Sequence, residues 1–345
     1  MPDRYDAFLL VSFGGPEKPE DVIPFLQNVL RGRNVPQARM LAVAEHYYRF
    51  GGRSPLNDQN RQLIAAVEAE LAAHGPSLPV YWGNRNWYPL LTDTVRRMRS
   101  DGIKKAVAFV TSAFSSYSGC RQYREDIASA RQAVGPGAPE IDKLRVFYNH
   151  PGFIEALTAS ARTALEGIPA VRRNAAEIIF TAHSIPLAMA QTSDYEAQLR
   201  EACRLVSAGL HRDHWQLAYQ SRSGPPQQAW LEPDIRDRLR EVPATGQTRD
   251  VVIVPIGFIS DHMEVVFDLD TEAAELCAGL GLNMVRAATP GLHPAFIGMI
   301  RDLILEKVGQ CERRFLGDCG PRPDACDSDC CPPAQPSFVP NHTDR

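Results

Sequence analysis

The strongest constraint on the fold is a rhythm that runs twice through the chain. Short apolar, β-branched runs of strand length alternate with longer segments of helical period, and the runs divide four and four. The first half holds Ala7–Phe13, Pro79–Gly83, Lys105–Val110 and Leu144–Phe147; the second holds Glu177–Thr181, Trp215–Tyr219, Val251–Gly257 and Asn283–Arg286. Between them lie helical stretches at Asp58–Ala73, Leu91–Ser100, Gly152–Leu165, Ser193–Leu210 and Ala295–Val308, the first striped by Leu63, Val67 and Leu71. Strands alternating with helices give an α/β fold with a mainly parallel sheet. Each half also opens alike, with a buried strand running into a turn that contains proline. One turn is Ser12-Phe13-Gly14-Gly15-Pro16 and the other Ala182-His183-Ser184-Ile185-Pro186. The expected architecture is two doubly wound, mainly parallel four-stranded domains whose strand carboxyl ends face a common cleft.

The boundary falls near Gly167–Asn174, giving domains over 1–166 and 167–316. From Gly317 the chain is rich in Pro, Asp and Cys and loses apolar period, so 317–345 is either a disordered tail or a segment tied down by metal. At 345 residues and 44% hydrophobic content the chain can bury one large core or two ordinary ones. A formal net charge of −4 argues against nucleic acid as a partner, since phosphate binding needs a basic surplus. The N-terminus lacks a charged region followed by an apolar run, and no stretch of about 18 apolar residues occurs, so a cytoplasmic protein with no transmembrane segment is expected. Contact with a bilayer surface is left open. Five of the eight cysteines crowd the last 35 residues, which in a cytosolic chain points to metal or cluster binding rather than a disulfide scaffold.

Two residues stand out chemically. His183 follows a buried strand, where open α/β sheets present ligands, and its ordinary pKa suits proton transfer or metal binding. A structural histidine bonded to a nearby carbonyl is the competing reading. Glu264 follows the apolar run Val251–Ile256, and Glu264, Asp268 and Glu272 share one face if the segment is helical. No Lys or Arg interrupts the stretch from Ile259 to Leu276, so three like charges stand together, as a path for a hard cation or for protons requires. An acidic solvent-facing helix is the alternative. Parallel strands bring His183 and Glu264 to the same sheet edge, where an imidazole and a carboxylate can hold Fe2+ loosely and accept displaced protons.

The strings VSFGGP, YYRFGGRSPLN, YSGCRQYRED, FTAHSIP, YQSRSGPPQQAWLEPD and PIGFISDHMEVVFDLD, in that order over roughly residues 6 to 290, resemble successive blocks of the ferrochelatase family. The resemblance implies two Rossmann-like domains of the chelatase type, a bent porphyrin in the cleft, and His183 and Glu264 as the catalytic and metal-handling pair. It makes Asp268 and Glu272 an outer metal or proton path. It carries porphyrin contacts onto Ser54 and Tyr123, with Arg31, Arg33 and Arg53 as candidate partners for propionates; a turn residue and a core aromatic are the alternatives for Ser54 and Tyr123. Some family members have a tyrosine after the first strand that can reach the metal. Phe13 stands there in this chain and cannot ligate iron, so packing against the macrocycle is its expected role. The SRSGPP and WLEP strings are read as structural.

Many ferrochelatases carry a 2Fe-2S cluster on three cysteines near the C-terminus and one earlier. The resemblance implies that four of Cys120, Cys319, Cys326, Cys330 and Cys331 hold one, with Cys319, Cys326 and either Cys330 or Cys331 as the three. A structural zinc and a reactive tail are the alternatives, though the spacings of six and then three or four intervening residues do not match ordinary zinc pairs. Cys203 and Cys277 are read as core residues, and Cys311 is ambiguous. The strings SAFSSYSGCRQYREDI and GNRNW are closest to the actinobacterial-type branch that inserts Fe2+ into coproporphyrin III. Protoporphyrin IX is the rival substrate, and a cobalt chelatase or a non-catalytic porphyrin carrier are rival functions. The resemblance further implies a monomer, with room for transient contact with other enzymes of haem synthesis.

Overall fold

The computed structural model describes residues 4–32, 35–225, 227–246 and 248–333. It contains two four-stranded sheets, both wholly parallel, and both with the same strand order. Strands β1 (Ala7–Ser12), β2 (Val80–Asn84), β3 (Lys105–Val110) and β4 (Glu140–Lys143) are ordered β2-β1-β3-β4. Strands β5 (Glu177–His183), β6 (Gln216–Gln220), β7 (Asp250–Val254) and β8 (Asn283–Arg286) are ordered β6-β5-β7-β8. The first strand of each half is central. β1 is buried along its whole length and β5 along all but its ends, which is why both runs lack polar alternation.

One strand is displaced from expectation. The fourth is the polar Glu140–Lys143 and not the apolar Leu144–Phe147. An edge strand pairs on one side only and stays half-exposed, so it tolerates polar residues. The apolar residues just beyond it are buried for another reason: they dive between the sheets, where the Phe147 ring stacks on Phe109 with centroids 5.0 Å apart and meets Phe153 edge-on at 5.5 Å.

Each half packs one face of its sheet against its own helices, and the other faces share an interior. A single cluster joins Phe8, Leu10 and Phe109 of the first sheet to Phe180, Val252 and Val254 of the second. Helix Pro151–Glu166 packs against helix Pro294–Lys307, which also lies on helix Leu56–His74 of the first half, where Arg301 meets Glu70 at 3.4 Å. Buried beside this junction, Arg145 grips Glu306 in a bidentate pair, Nε to Oε2 at 2.7 Å and Nη2 to Oε1 at 3.1 Å, the side chains 1% and 2% exposed. Removing two charges from water is costly, and here both are fully bonded. Arg145 Nη2 also donates to the Arg314 carbonyl at 2.8 Å, and Glu306 Oε1 accepts the Arg314 N–H at 2.8 Å.

That clamp begins the C-terminal tail. From residue 308 to 333 no helix or strand occurs, and hydrogen bonds rather than an apolar face hold the segment. The Asn149 amide donates to the carbonyls of Leu316 and Gly320 at 3.3 and 2.9 Å, and Arg322 pairs with Asp194 at 2.8 Å. Arg124 and Arg121 donate to the carbonyls of Cys326 and Cys330, both at 3.2 Å. Among the described residues no helix is long and apolar enough to cross a membrane.

Candidate active site

The carboxyl edge of the second sheet assembles the chemistry. His183 is the last residue of β5. β7 leaves the sheet through Pro255-Ile256-Gly257, and the Gly257 N–H donates to the Thr181 carbonyl at 3.0 Å. A Cβ at Gly257 would sit 2.7 Å from the Ala182 Cα and Cβ, so only glycine lets the exit of β7 pass so close to the end of β5. The chain then turns into the short helix Met263–Phe267, capped by His262, whose Nδ1 accepts the Glu264 N–H at 3.2 Å. This path brings Glu264 Oε1 to 3.5 Å from His183 Nε2.

The His183 Nδ1 lies against the carbonyl of Ser184. A carbonyl only accepts, so Nδ1 carries a proton and Nε2 is the nitrogen presented to Glu264. Both readings of this histidine therefore hold together: it bonds a nearby carbonyl and faces the cleft. Burial alone would lower its pKa, but the Glu264 carboxylate outweighs burial and, with Ser184 and Asp268, raises it to about 9. Burial pushes Glu264 the other way, upward, yet His183 and then His262 hold it down at about 2. The unliganded pair is an imidazolium beside a carboxylate. With 31% and 47% of the two side chains exposed, water reaches both.

His262 lies on the other side of the same carboxylate, its Nδ1 3.9 Å from Glu264 Oε2. Burial outweighs Glu264 there, so His262 stays below its ordinary pKa and neutral. Asp268 is driven up to about 7, first by burial and then by Glu264 and Glu272, although the Ser221 hydroxyl donates to it. Three groups within seven residues, His262, Glu264 and Asp268, thus differ in proton affinity, a clustering of perturbed groups that is common at functional sites.

The acidic ladder is not a plain α-helix. The helix ends at Phe267 and the chain widens into a π-helical turn over Asp268–Ala273, so Glu272 falls off the regular spacing. Cations from other elements answer it: Arg236 lies 3.7 Å from Glu272, and Arg286 pairs with Asp261 and Asp270.

The first half faces this edge with aromatic rings. Phe13, just past β1 and 37% exposed, meets Phe25 at 6.2 Å, and Phe25 in turn meets Tyr47 and Trp87 at 5.8 and 6.2 Å. Burial and the nearby Glu264 charge push the Tyr47 hydroxyl well above its ordinary pKa, so it stays protonated. From the same helix, Gln37–Arg49, His46 stacks on Phe267 at 3.7 Å.

The expected porphyrin contacts are mixed. Ser54 is buried against Gly15, where a Cβ would meet it at 2.7 Å, and its hydroxyl accepts the Leu56 N–H at 3.4 Å. Tyr123 is buried with its ring 4.6 Å beneath the Arg85 guanidinium. Arg31 is exposed, 2.6 Å from Asn28, and Arg53 is exposed beside Asp58. Arg33 lies outside the described residues. His262, Tyr47, Tyr195 and Gln220 border the site without having been singled out from sequence. Of these only His262, two residues before Glu264, left a local signal.

Four thiols from distant segments are neighbours. Burial first, then the charges of Cys330 and Cys120, raise the Cys326 pKa; burial and the same two residues, with Cys326, push Cys331 to about 12. Cys319 is not in this group. Its charge acts instead on Tyr148 and Arg204. Among the described residues no set of three or more His, Cys, Asp or Glu side chains is arranged to hold a metal ion.

Comparison with known proteins agrees with this geometry. The ferrochelatase family model matches residues 5–308. A ferrochelatase of Rhodopirellula baltica is 56% identical over 95% of this chain and 93% of its own. A coproporphyrin III ferrochelatase of Frankia alni is 51% identical over 99% of this chain and 89% of its own. Among solved structures, the sirohydrochlorin chelatase SirB from Bacillus subtilis subspecies spizizenii, in complex with cobalt, covers 90% of this chain and 97% of its own. At a TM-score of 0.55 and 12% identity, that likeness speaks for the fold alone.

Proposed function

The chain belongs to the ferrochelatase family, and from that premise we propose that it inserts Fe2+ into coproporphyrin III to give Fe-coproporphyrin III for haem synthesis. The observation that carries the reading is the His183–Glu264 pair, 3.5 Å apart at a sheet edge, with its tautomer set by Ser184. The porphyrin lies in the cleft between Phe13 and this pair. Metallation breaks two pyrrole N–H bonds, forms iron–nitrogen bonds from the freed lone pairs, and releases two protons with no change in oxidation state. Glu264, ionised at any physiological pH, attracts the cation. As Fe2+ occupies its carboxylate, the His183 imidazolium loses its partner and yields its proton. Asp268, held at about 7 and bonded by the Ser221 hydroxyl, accepts it at neutral pH and releases it to solvent. Neutral His183 then offers Nε2 to the metal or to a pyrrole proton. Asp268 and Glu272 continue outward as the proton or metal path. Phe13 packs on the macrocycle, and binding of the rest of the ring supplies the energy that bends it.

Coproporphyrin has four propionates where protoporphyrin IX has two. Support for it comes from the Frankia relative and from a 52%-identical coproporphyrin III ferrochelatase of Mycolicibacterium smegmatis. The exposed Arg31 and Arg53 guanidinia suit carboxylate partners, Arg53 at present pairing with Asp58 and standing next to Ser54 in sequence. Anaerobic assay with Fe2+, following porphyrin fluorescence, decides the substrate. Faster loss for coproporphyrin III is expected; faster loss for protoporphyrin IX overturns that half of the proposal and leaves the His183 chemistry standing.

Cys120, Cys326, Cys330 and Cys331 match a 2Fe-2S cluster in number and softness but are not arranged, among the described residues, to hold a metal, and Arg121 and Arg124 hold the tail segment that bears three of them. Such a cluster, when bound, supplies a one-electron redox centre. Visible absorption with iron and sulfide content of anaerobically purified protein tests this: a coloured protein that Cys326→Ser bleaches is expected, and a colourless, iron-free one overturns it.

A further inference from the structure

Gln220, in the YQSRSG string, is the last residue of β6 and pairs in register with His183. Its carbonyl accepts the Ser184 N–H at 2.8 Å, which holds the peptide joining His183 to Ser184, one bond short of the Ser184 carbonyl that meets the His183 ring. Its side chain turns the other way and donates from Nε2 to the Glu264 carbonyl at 2.6 Å. Two facing carbonyls would repel, so the amide nitrogen and not its oxygen must point at Glu264. The Glu264 peptide is therefore held at both ends, its N–H by His262 Nδ1 and its C=O by Gln220. The neighbouring Asp268 N–H turns to the Val265 carbonyl instead. Gln220 is buried, and its Oε1 has no partner among the described residues.

We propose that Gln220 is a positioning residue that sets the separation of His183 Nε2 and Glu264 Oε1 by bonding the Ser184 N–H next to His183 with its carbonyl and the Glu264 backbone carbonyl with its side chain. This rests on the reading that His183 and Glu264 act as a pair. A buried amide that makes one bond and leaves its oxygen unpaired is a poor stabilising device, and an apolar side chain of similar shape would pack as well without that penalty. What the amide supplies is a fixed reach from β6 to the short helix that bears Glu264. Without it the helix keeps the packing of Val265 on the sheet and the Ser221 bond to Asp268, but the Glu264 carbonyl loses its hold on β6 and Glu264 can drift from His183.

The test compares Gln220→Leu, which keeps bulk, with Gln220→Glu, which keeps shape but loses the donor. Both are measured for coproporphyrin affinity, for kcat and KM in Fe2+ insertion, and for the imidazole 15N signals of His183 in metal-free enzyme. Displacement of a catalytic group by about an ångström costs up to roughly 100-fold, so kcat should fall roughly 10- to 100-fold while porphyrin affinity holds. The His183 Nε2 signal should move as its carboxylate partner recedes. Unchanged kcat in Gln220→Leu overturns the proposal, as does a loss of kcat with an unmoved His183 signal. If Gln220→Leu does not fold, Gln220→Glu decides alone by the same criteria. His183→Ala run alongside separates the two ideas. An inactive His183→Ala with a normal Gln220→Leu removes only the role of Gln220, whereas an active His183→Ala removes the pair itself.

Discussion

Replacing Glu264 with Gln keeps the shape of the side chain and removes the charge that holds the His183 proton. In the folded protein the histidine rises from its ordinary 6.5 to about 9, and the glutamate falls from 4.5 to about 2. These are one interaction seen from its two ends and count once. At about 1.4 kcal/mol per pKa unit the pair is worth about 3 kcal/mol at most. Glu264 is 47% exposed, and solvent screening reduces that to about 1–2 kcal/mol. The sign follows from the direction of each shift. A raised histidine stabilises the fold fully below 6.5 and loses that contribution as pH climbs through about 9; the depressed glutamate stabilises above 4.5 and loses it as pH falls toward about 2. Between 4.5 and 6.5 the wild type has the whole term, and at pH 7 it still keeps most of it. In Glu264→Gln only Ser184 and Asp268 still oppose the burial of His183, so its pKa should fall well below 9. NMR titration of the His183 ring in metal-free enzyme reads the shift, and urea unfolding at pH 7 and pH 10 reads the energy. The variant should be less stable than wild type at pH 7 and similar to it at pH 10. A His183 that still titrates near 9 in Glu264→Gln would refute the assignment of Glu264 as its partner.

Three further outcomes follow from particular contacts. The Tyr195 hydroxyl donates to the His183 carbonyl at 2.9 Å, so Tyr195→Phe should cost about 0.5–1.5 kcal/mol and lower kcat with porphyrin affinity intact, as paired binding and turnover measurements will tell. Arg145→Met strands the buried Glu306 carboxylate and should cost about 3–5 kcal/mol in chemical unfolding, most of it restored by Arg145→Met with Glu306→Leu. His150 is buried, and burial with the nearby Arg145 and Arg314 charges lowers it to about 3; the unfolded chain takes up a proton that the folded one refuses, so stability should decline as pH falls from 6.5 toward 3, a slope that His150→Gln removes.

Much of this was written locally in the chain. Buried central strands declare themselves as unbroken apolar runs, and the repeated strand-turn-proline opening marked the two sheets that share one strand order. β4 hid because an edge strand needs no apolar pattern, while Leu144–Phe147 carries one for packing between the sheets. Helix Gln37–Arg49 escaped as well: it buries only Ala44 fully, so it shows no stripe. His183 and Glu264 were legible because strand ends in a parallel sheet meet at one edge. The residues that hold them were not. Gln220 and Tyr195 act through bonds to backbone carbonyls of other elements, and a carbonyl has no side-chain signature. Cys319 looked equivalent to its neighbours by spacing, while its charge acts on Tyr148 and not on Cys326 or Cys331.

The most direct test of the metallation chemistry is the His183→Ala variant, assayed anaerobically with Fe2+ and coproporphyrin III while porphyrin binding is followed on the same sample. Retained binding with metal insertion abolished is the expected result. Insertion at the wild-type rate would contradict it, and would move the proton and metal handling away from the His183–Glu264 pair altogether.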